Sequence, residues 1–135
     1  MMLKQADQKG QSLVEVAIAM PLLILILLGI LDLGRAYFTY IALSDAAAEG
    51  AAYAAIHPEH TAQITARAAD NTNGFVVLEP EMVSVDCSEF TAGSPITVSV
   101  TFDYQLLTPI VGTLIPEGTI TMRATVVQSI VSGEF

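Results

Sequence analysis

The hydrophobic pattern of the chain begins with one long apolar run. No charged residue occurs between Glu15 and Asp32. Counted from Leu13 to Leu31, the run would form a helix about 28 Å long at ~1.5 Å per residue, close to the ~30 Å thickness of a bilayer's hydrocarbon core. The pattern predicts a transmembrane helix over residues 11–31.

A cleaved secretory signal peptide is the competing interpretation, because it also has a charged start and an apolar core. Its apolar region is only about 7–15 residues long and ends at small residues arranged like Ala-x-Ala. The run in this chain is longer and passes directly into Asp32-Leu33-Gly34-Arg35. Length and flanking residues therefore favour a retained membrane anchor.

The basic residues indicate how the anchor is oriented. Lys4 and Lys9 precede the apolar run, and basic residues flanking a membrane helix are enriched on the cytoplasmic side. We therefore expect residues 1–10 to be a cytoplasmic leader or tail and the rest of the chain to face outward from a cytoplasmic (inner) membrane. The lipid bilayer is the first predicted partner.

A helical pattern continues beyond the apolar run. Mostly small residues recur at spacings of four and three, at Ala36, Tyr40, Leu43, Ala47, Gly50 and Ala54. This stripe would let a sheet or another helix approach the backbone closely. Together with Tyr37 and Tyr40, it favours packing on the chain's own sheet, with Thr39, Asp45 and Glu49 on other faces.

The long helix should end near Ile56, because Pro58 disfavours helical geometry at the residue before it. We expect one continuous helix from about Ser12 to Ile56, of which residues 32–56 lie outside the membrane. A shorter helix is predicted from Thr61 to Asn71, ending at an Asn73-Gly74 turn.

From Phe75 onward the hydrophobic period changes to two. Apolar and polar residues alternate over residues 83–88, 96–104 and 120–126, which predicts three half-buried strands. The first two are separated at hairpin distance and should be antiparallel. The connection 105–118 is too apolar for a solvated loop, and it would either cover one end of the sheet or contact a neighbour.

These elements predict an α+β fold. A single-pass N-terminal membrane helix continues into a long helix packed on a small antiparallel sheet, and residues 57–135 form a small extracytoplasmic domain. The 135-residue chain carries a net charge of −9, which argues against nucleic-acid binding. Tryptophan is absent, so Tyr37 and Tyr40 are the expected anchors at the membrane interface.

The sequence contains no motif for catalysis or for a cofactor. Nucleophile, phosphate-loop, zinc and dinucleotide signatures are all missing. His57 and His60 flank a proline without the spacing of a zinc helix, and a solvated corner accounts for them better than a metal site. The lone Cys87 is expected to be a buried or half-buried strand residue, with intermolecular pairing as the alternative. We predict a protein that is not an enzyme and binds no cofactor.

Glu15 is a residue that a plain anchor does not need. A carboxylate in a membrane helix costs on the order of 2–3 kcal/mol at the bilayer centre and less near the interface, so its presence suggests a partner. The alternative is that the side chain simply extends to the cytoplasmic headgroups.

The segment Gly10-Gln11-Ser12-Leu13-Val14-Glu15, opening an apolar helix, resembles the processing site of type IV prepilins. That resemblance implies cleavage by a prepilin peptidase between Gly10 and Gln11. It also implies that Glu15 is a charge used in assembly. Many type IV pilins have phenylalanine at the first mature position, where this chain has Gln11.

A denser resemblance covers about residues 9–56. It includes Met20-Pro21-Leu22-Leu23, Gly29 to Ala36 and Ala47-Ala48-Glu49-Gly50-Ala51, and it is to the TadE-like pseudopilins of the tight-adherence (Flp) pilus. The resemblance implies a non-catalytic, pilin-like membrane subunit that helps to initiate or assemble the pilus. Its implied partners are prepilin peptidase, the assembly platform and other pilin subunits. A membrane-tethered binding or adaptor module of the cell envelope remains the alternative, ahead of a hydrolase of unknown type.

Overall fold

The computed structural model describes residues 7–70, 74, 76–108 and 118–131. It contains helices α1 (Asp7–Ile56) and α2 (Thr61–Asp70), a 3-10 turn (Pro80–Met82), and strands β1 (Val83–Cys87), β2 (Pro95–Gln105) and β3 (Thr119–Ser129). The long apolar helix and the small sheet confirm the predicted α+β fold with one candidate membrane helix.

Helix α1 is continuous over 50 residues, about 75 Å at ~1.5 Å per residue. It ends at Ile56 as predicted, but it begins at Asp7 rather than near Ser12. Residues 7–10 therefore add a helical turn where an extended tail was an open possibility. Within the described residues, α1 is the one helix long and apolar enough to cross a membrane.

The three strands form one antiparallel sheet in the order β1-β2-β3. Strands β2 and β3 pair over their whole length, from Pro95 opposite Ser129 to Gln105 opposite Thr119. The predicted β1-β2 hairpin is confirmed. Strand β3 ends at Ser129, three residues beyond its predicted end at Val126. The prediction stopped too early because Val127 follows Val126, and two adjacent valines interrupt the alternation on which it relied.

One face of the sheet packs against both helices. Ile96, Val98 and Val100 of β2 are fully buried there, as their alternation with polar residues predicted. The helices approach closely at Gly50. A Cβ atom at that position would lie 3.0 Å from the Ala68 Cβ and 3.2 Å from the Val98 Cγ1. The glycine thus allows α1, α2 and β2 to meet.

The predicted packing of α1 on the sheet is confirmed, and four of the six residues of the predicted stripe, Leu43, Ala47, Gly50 and Ala54, are buried. Thr39 is buried, whereas Tyr40 is 50% exposed and Tyr37 is 65% exposed. The prediction is wrong at Tyr40, which it places in the stripe, and at Thr39, which it places on another face. The buried residues of α1 are Asp32, Thr39, Ala42, Leu43, Ala46, Ala47, Gly50, Ala51, Ala54 and Ala55.

Strand β3 runs alongside α1 in the same direction. At one end, the Tyr104 hydroxyl donates to the Asp32 carbonyl (3.2 Å), and Tyr104 pairs with Ile120 at the start of β3. At the other end, the Val131 N–H donates to the Ala55 carbonyl (2.8 Å). The distance from Ile120 to Val131 is about 37 Å at ~3.3 Å per residue of strand, and that from Asp32 to Ala55 is about 35 Å at ~1.5 Å per residue of helix. Because the two lengths are similar, β3 and α1 remain in contact at both ends. The end of the sheet where β2 finishes and β3 begins therefore lies beside Asp32.

Several smaller predictions concern residues at the margins of these elements. Helix α2 has the predicted extent to within one residue, and Cys87 is half-buried as expected. Gly74 adopts a positive φ of 75° in its turn. The leader residues 1–6, the Asn71–Asn73 part of the turn and residues 109–117 of the apolar connection lie outside the described residues.

Candidate functional site

Gly10 lies in the first turn of α1 and is fully open to its surroundings. A Cβ atom placed there would meet nothing within 4 Å. A glycine inside a helix costs about 0.8–1.0 kcal/mol relative to alanine, and packing against the described residues does not offset that cost. The first turn of a helix also lacks half of its backbone hydrogen bonds and frays easily. The Gly10–Gln11 bond can therefore become extended without unwinding the rest of α1.

Glu15 projects from the same end of α1 and is exposed, like Gln11. No hydrogen bond or ion pair joins Glu15 to another residue of the part of the chain that the structure describes. The structure therefore places the three sequence-predicted residues together at the start of the apolar helix. It does not give Glu15 a partner among the residues that it describes.

A second carboxylate, Asp32, lies 17 residues further along α1, about 26 Å along the helix axis at ~1.5 Å per residue. Asp32 is 5% exposed. Its Oδ1 accepts a hydrogen bond from the Leu107 N–H (3.0 Å), and its Oδ2 accepts one from the Thr108 N–H (2.9 Å). The Thr108 hydroxyl donates a third bond to Oδ2. Asp32 thus fastens the chain just after β2 to the end of the predicted membrane segment.

Arg35 and Tyr104 complete this cluster. An Arg35 guanidinium nitrogen lies 3.9 Å from the Asp32 Oδ1, and the guanidinium also lies 5.6 Å from the centre of the Tyr104 ring. The arginine side chain remains about half exposed, so the ion pair contributes little by itself. The hydrogen bonds are the stronger interactions, because they satisfy a buried carboxylate.

The pKa of Asp32 lies below its ordinary value, chiefly because the Thr108 hydroxyl donates to the carboxylate. Burial acts in the opposite direction, and the two backbone N–H groups and Arg35 reinforce the lowering. Burial raises the pKa of Tyr104 above its usual range. The cluster therefore combines a charged Asp32 with a neutral phenol at neutral pH.

Sequence reasoning missed the role of Asp32. In the sequence, Asp32 marks the end of the apolar run, and a charge after such a run commonly indicates the membrane boundary. The donors lie 75 and 76 residues away, and no local pattern reveals them.

The two histidines occupy an exposed corner after α1. The rings of His57 and His60 stack with centroids 5.4 Å apart, and the Tyr53 ring lies 5.0 Å from that of His57. Among the described residues, no group of three or more His, Cys, Asp or Glu side chains could hold a metal ion. The corner terminates the helix and presents imidazoles to solvent.

The single apolar helix near the N-terminus, joined to a small α+β domain, suggests a single-pass membrane protein. A protein-family model described as TadE-like protein matches residues 10–52. The match confirms the resemblance noted in the sequence. The TadE-like family suggests a subunit related to the tight-adherence pilus, a structural type of component not known as an enzyme. No curated protein and no solved structure matches the chain.

Proposed function

We propose that this chain is a TadE-like pseudopilin, a non-catalytic subunit of tight-adherence (Flp) pilus assembly. In this proposal, prepilin peptidase removes residues 1–10 by cutting between Gly10 and Gln11. The mature subunit then joins the assembly platform and other pilin subunits, with Glu15 as the charge used in assembly. Its role is to help initiate or build the pilus.

The observation that carries this proposal is the unexplained pair at the start of α1. The fold does not require a glycine at position 10, since its surroundings are open. Glu15 has no partner among the described residues, although it lies inside the apolar segment. Both residues fall within the stretch matched by the TadE-like family model. Cleavage by a peptidase would explain the glycine at position 10, and pairing with a second subunit would explain Glu15.

Glu15 has a natural partner once the leader is removed. Cleavage creates a new α-amino group at Gln11, and that positive charge must accompany the apolar helix into any bundle of helices. An unpaired charge in apolar surroundings is expensive, and pairing with a carboxylate recovers part of that cost. Pairing between Glu15 of one subunit and the amino group of Gln11 on another would also hold the two helices in axial register.

The predicted topology is consistent with this route. Lys4 and Lys9 precede the apolar segment, which favours a cytoplasmic N-terminus and an outward-facing domain at the inner membrane. A membrane-embedded peptidase would then meet the Gly10–Gln11 bond near the cytoplasmic face of the bilayer.

Processing is tested by mass spectrometry of the protein expressed with and without its cognate prepilin peptidase. We expect the mature protein to begin at Gln11 only when the peptidase is present. Gly10→Val should block the cut, because a β-branched side chain obstructs close approach to the scissile backbone. Gly29→Val is the matched control, since Gly29 lies in the same helix with equally open surroundings and is remote from the cut. Retention of Met1 alongside active peptidase would contradict the proposal.

Assembly is tested by in situ crosslinking to pilus components at equal expression. We expect Glu15→Gln to insert and to be cleaved normally but to crosslink less. Asp45→Asn removes the same charge from an exposed position of the same helix and should crosslink like the wild type. Undiminished crosslinking and normal pili with Glu15→Gln would reject the pairing role. They would favour a tethered module that works through residues 57–135.

A further inference from the structure

The exposed apolar surface of α1 continues beyond the predicted membrane segment 11–31. Beyond Leu31 it includes Leu33, Tyr37, Phe38, Tyr40 and Ile41, which are 37–72% exposed. The surface becomes polar only at Ser44 and Asp45. Measured from Leu13 to Ile41, the apolar exterior is about 43 Å long at ~1.5 Å per residue. That length exceeds the ~30 Å hydrocarbon core and equals the ~40–45 Å of a bilayer with its headgroup layers.

The end of the sheet nearest the membrane lies beside the part of α1 whose exposed surface is apolar. Asp32 fixes Leu107 and Thr108 to α1, nine residues before Ile41 and so about 14 Å closer to the bilayer centre along the helix. Leu107 itself is 64% exposed, and Ile120 at the start of β3 is 39% exposed. The membrane-proximal end of the sheet therefore presents aliphatic side chains at the same depth as the exposed apolar turns of α1.

A cavity of about 450 Å³ lies between α1 and this end of the sheet. Its lining is almost entirely apolar and consists of Ile26, Gly29, Ile30, Asp32, Leu33, Ala36, Leu106 and Ile120. The cavity extends along α1 from Ala36 down to Ile26, which is within segment 11–31. The cavity is thus continuous with the surface of α1 in the predicted membrane segment.

Arg35 marks the expected level of the headgroups. It is the one exposed charged residue of α1 between Glu15 and Asp45. Its partner Asp32 already accepts three hydrogen bonds, so guanidinium N–H groups are left to bind water or phosphate oxygen atoms. Aromatic side chains such as Tyr37 and Tyr40 concentrate at this same level in membrane proteins.

We propose that the domain docks into the lipid leaflet from which α1 emerges. The docking surface consists of Tyr37, Tyr40 and Ile41 of α1 with Leu107 and Ile120 at the end of the sheet. Lipid is the occupant because this surface is continuous with the membrane helix and its length matches the whole bilayer. The Asp32-Thr108 contact then lies about 14 Å below the level of Ile41 at the bilayer surface, and the domain is held at a fixed depth rather than standing clear of the membrane.

The proposal is tested with single tryptophans in the full chain in phosphatidylcholine vesicles. The sequence contains no tryptophan, so each variant has one emitter. Leu107→Trp and Tyr40→Trp probe the docking surface. Val127→Trp and Val131→Trp are matched controls, since these valines are at least as exposed as Tyr40 but lie at the Ala55 end of α1, away from the membrane-proximal end. Brominated lipids and aqueous acrylamide are the two quenchers.

We expect Leu107→Trp and Tyr40→Trp to emit at shorter wavelength, to be quenched by brominated lipid and to be protected from acrylamide. The two controls should show the reverse. Equal acrylamide quenching at positions 107 and 127 would overturn the proposal. Protection from both quenchers that disappears on diluting the protein in lipid would also overturn it, because a second protein would then be the occupant. Circular dichroism confirms that each variant is folded.

Discussion

The carboxylate of Asp32 accepts hydrogen bonds from both the backbone N–H and the side-chain hydroxyl of Thr108, 76 residues later in the chain. This contact joins the end of the predicted membrane segment to the residues that follow β2. It is the longest-range set of side-chain hydrogen bonds among the described residues. The link makes α1 and the sheet parts of one folded unit.

Asp32→Asn should destabilise the membrane-proximal half of the domain. An amide group has one acceptor oxygen in place of two, so donors at Leu107 and Thr108 compete for it and a buried donor loses its partner. The expected loss is about 1–3 kcal/mol. Hydrogen exchange of the β2 and β3 amides, measured on the full chain in micelles, reports this loss as faster opening. Asp45→Asn, on an exposed part of α1, should leave exchange unchanged.

The Asp32 contribution should depend on pH. Because the folded-state pKa of Asp32 is below its ordinary value of 3.8, the stabilisation is fully present above pH 3.8. It is lost as the pH falls below that value toward the folded-state pKa. Exchange or thermal unfolding measured from pH 6 downward should show the wild type converging on Asp32→Asn in acid. A constant difference between the two proteins down to pH 2 would contradict this assignment.

Tyr104→Phe should have a smaller effect. The substitution removes the hydroxyl that donates to the Asp32 carbonyl but keeps the ring beneath Arg35. The expected loss is about 0.5–1.5 kcal/mol, the usual net value of one hydrogen bond. Tyr37→Phe is the control, because that tyrosine is 65% exposed. Amide exchange near the start of β3 distinguishes the two.

Gly50→Leu should separate α1 from α2 and β2. Even a Cβ atom there approaches Ala68 to 3.0 Å and Val98 to 3.2 Å, and a larger side chain must displace both. Overpacking of this kind costs about 1–3 kcal/mol. Gly34→Leu meets no atom within 4 Å at its Cβ and should be neutral or stabilising through helix propensity. A lower unfolding temperature for Gly50→Leu alone is the expected result.

The architecture could be predicted because its elements have clear periods. The apolar run, the change to a period of two and Pro58 gave α1, the three strands and the end of the helix. The positions of Thr39 and Tyr40 around α1 were harder to predict. Tyr40 looks apolar in a sequence, yet it faces away from the sheet, while the polar Thr39 is buried. Hydrophobicity does not distinguish a side chain directed to a core from one directed to lipid.

The candidate site divides in the same way. Gly10 and Glu15 were recognisable because each departs from its local sequence pattern. Gly10 is a glycine in a helix, and Glu15 is a charged residue in an apolar run. Asp32 was not recognisable, because its partners are distant in sequence and its position mimics an ordinary membrane boundary. Nothing in the pattern distinguishes a carboxylate that ends a membrane segment from one that holds another part of the fold.

The alignment of β3 with α1 fixes the direction in which the sheet faces. The sheet is joined to the helix near Asp32 and again at Ala55, so the two cannot rotate independently. Each residue advances about 100° around a helix. Suppose that the face of α1 in contact with a neighbouring helix shifts by one residue position. The serine- and threonine-rich outer face of the sheet would then rotate about the helix axis by more than a quarter turn. The rotation of α1 about its own axis therefore determines which neighbouring molecule the outer face of the sheet can contact.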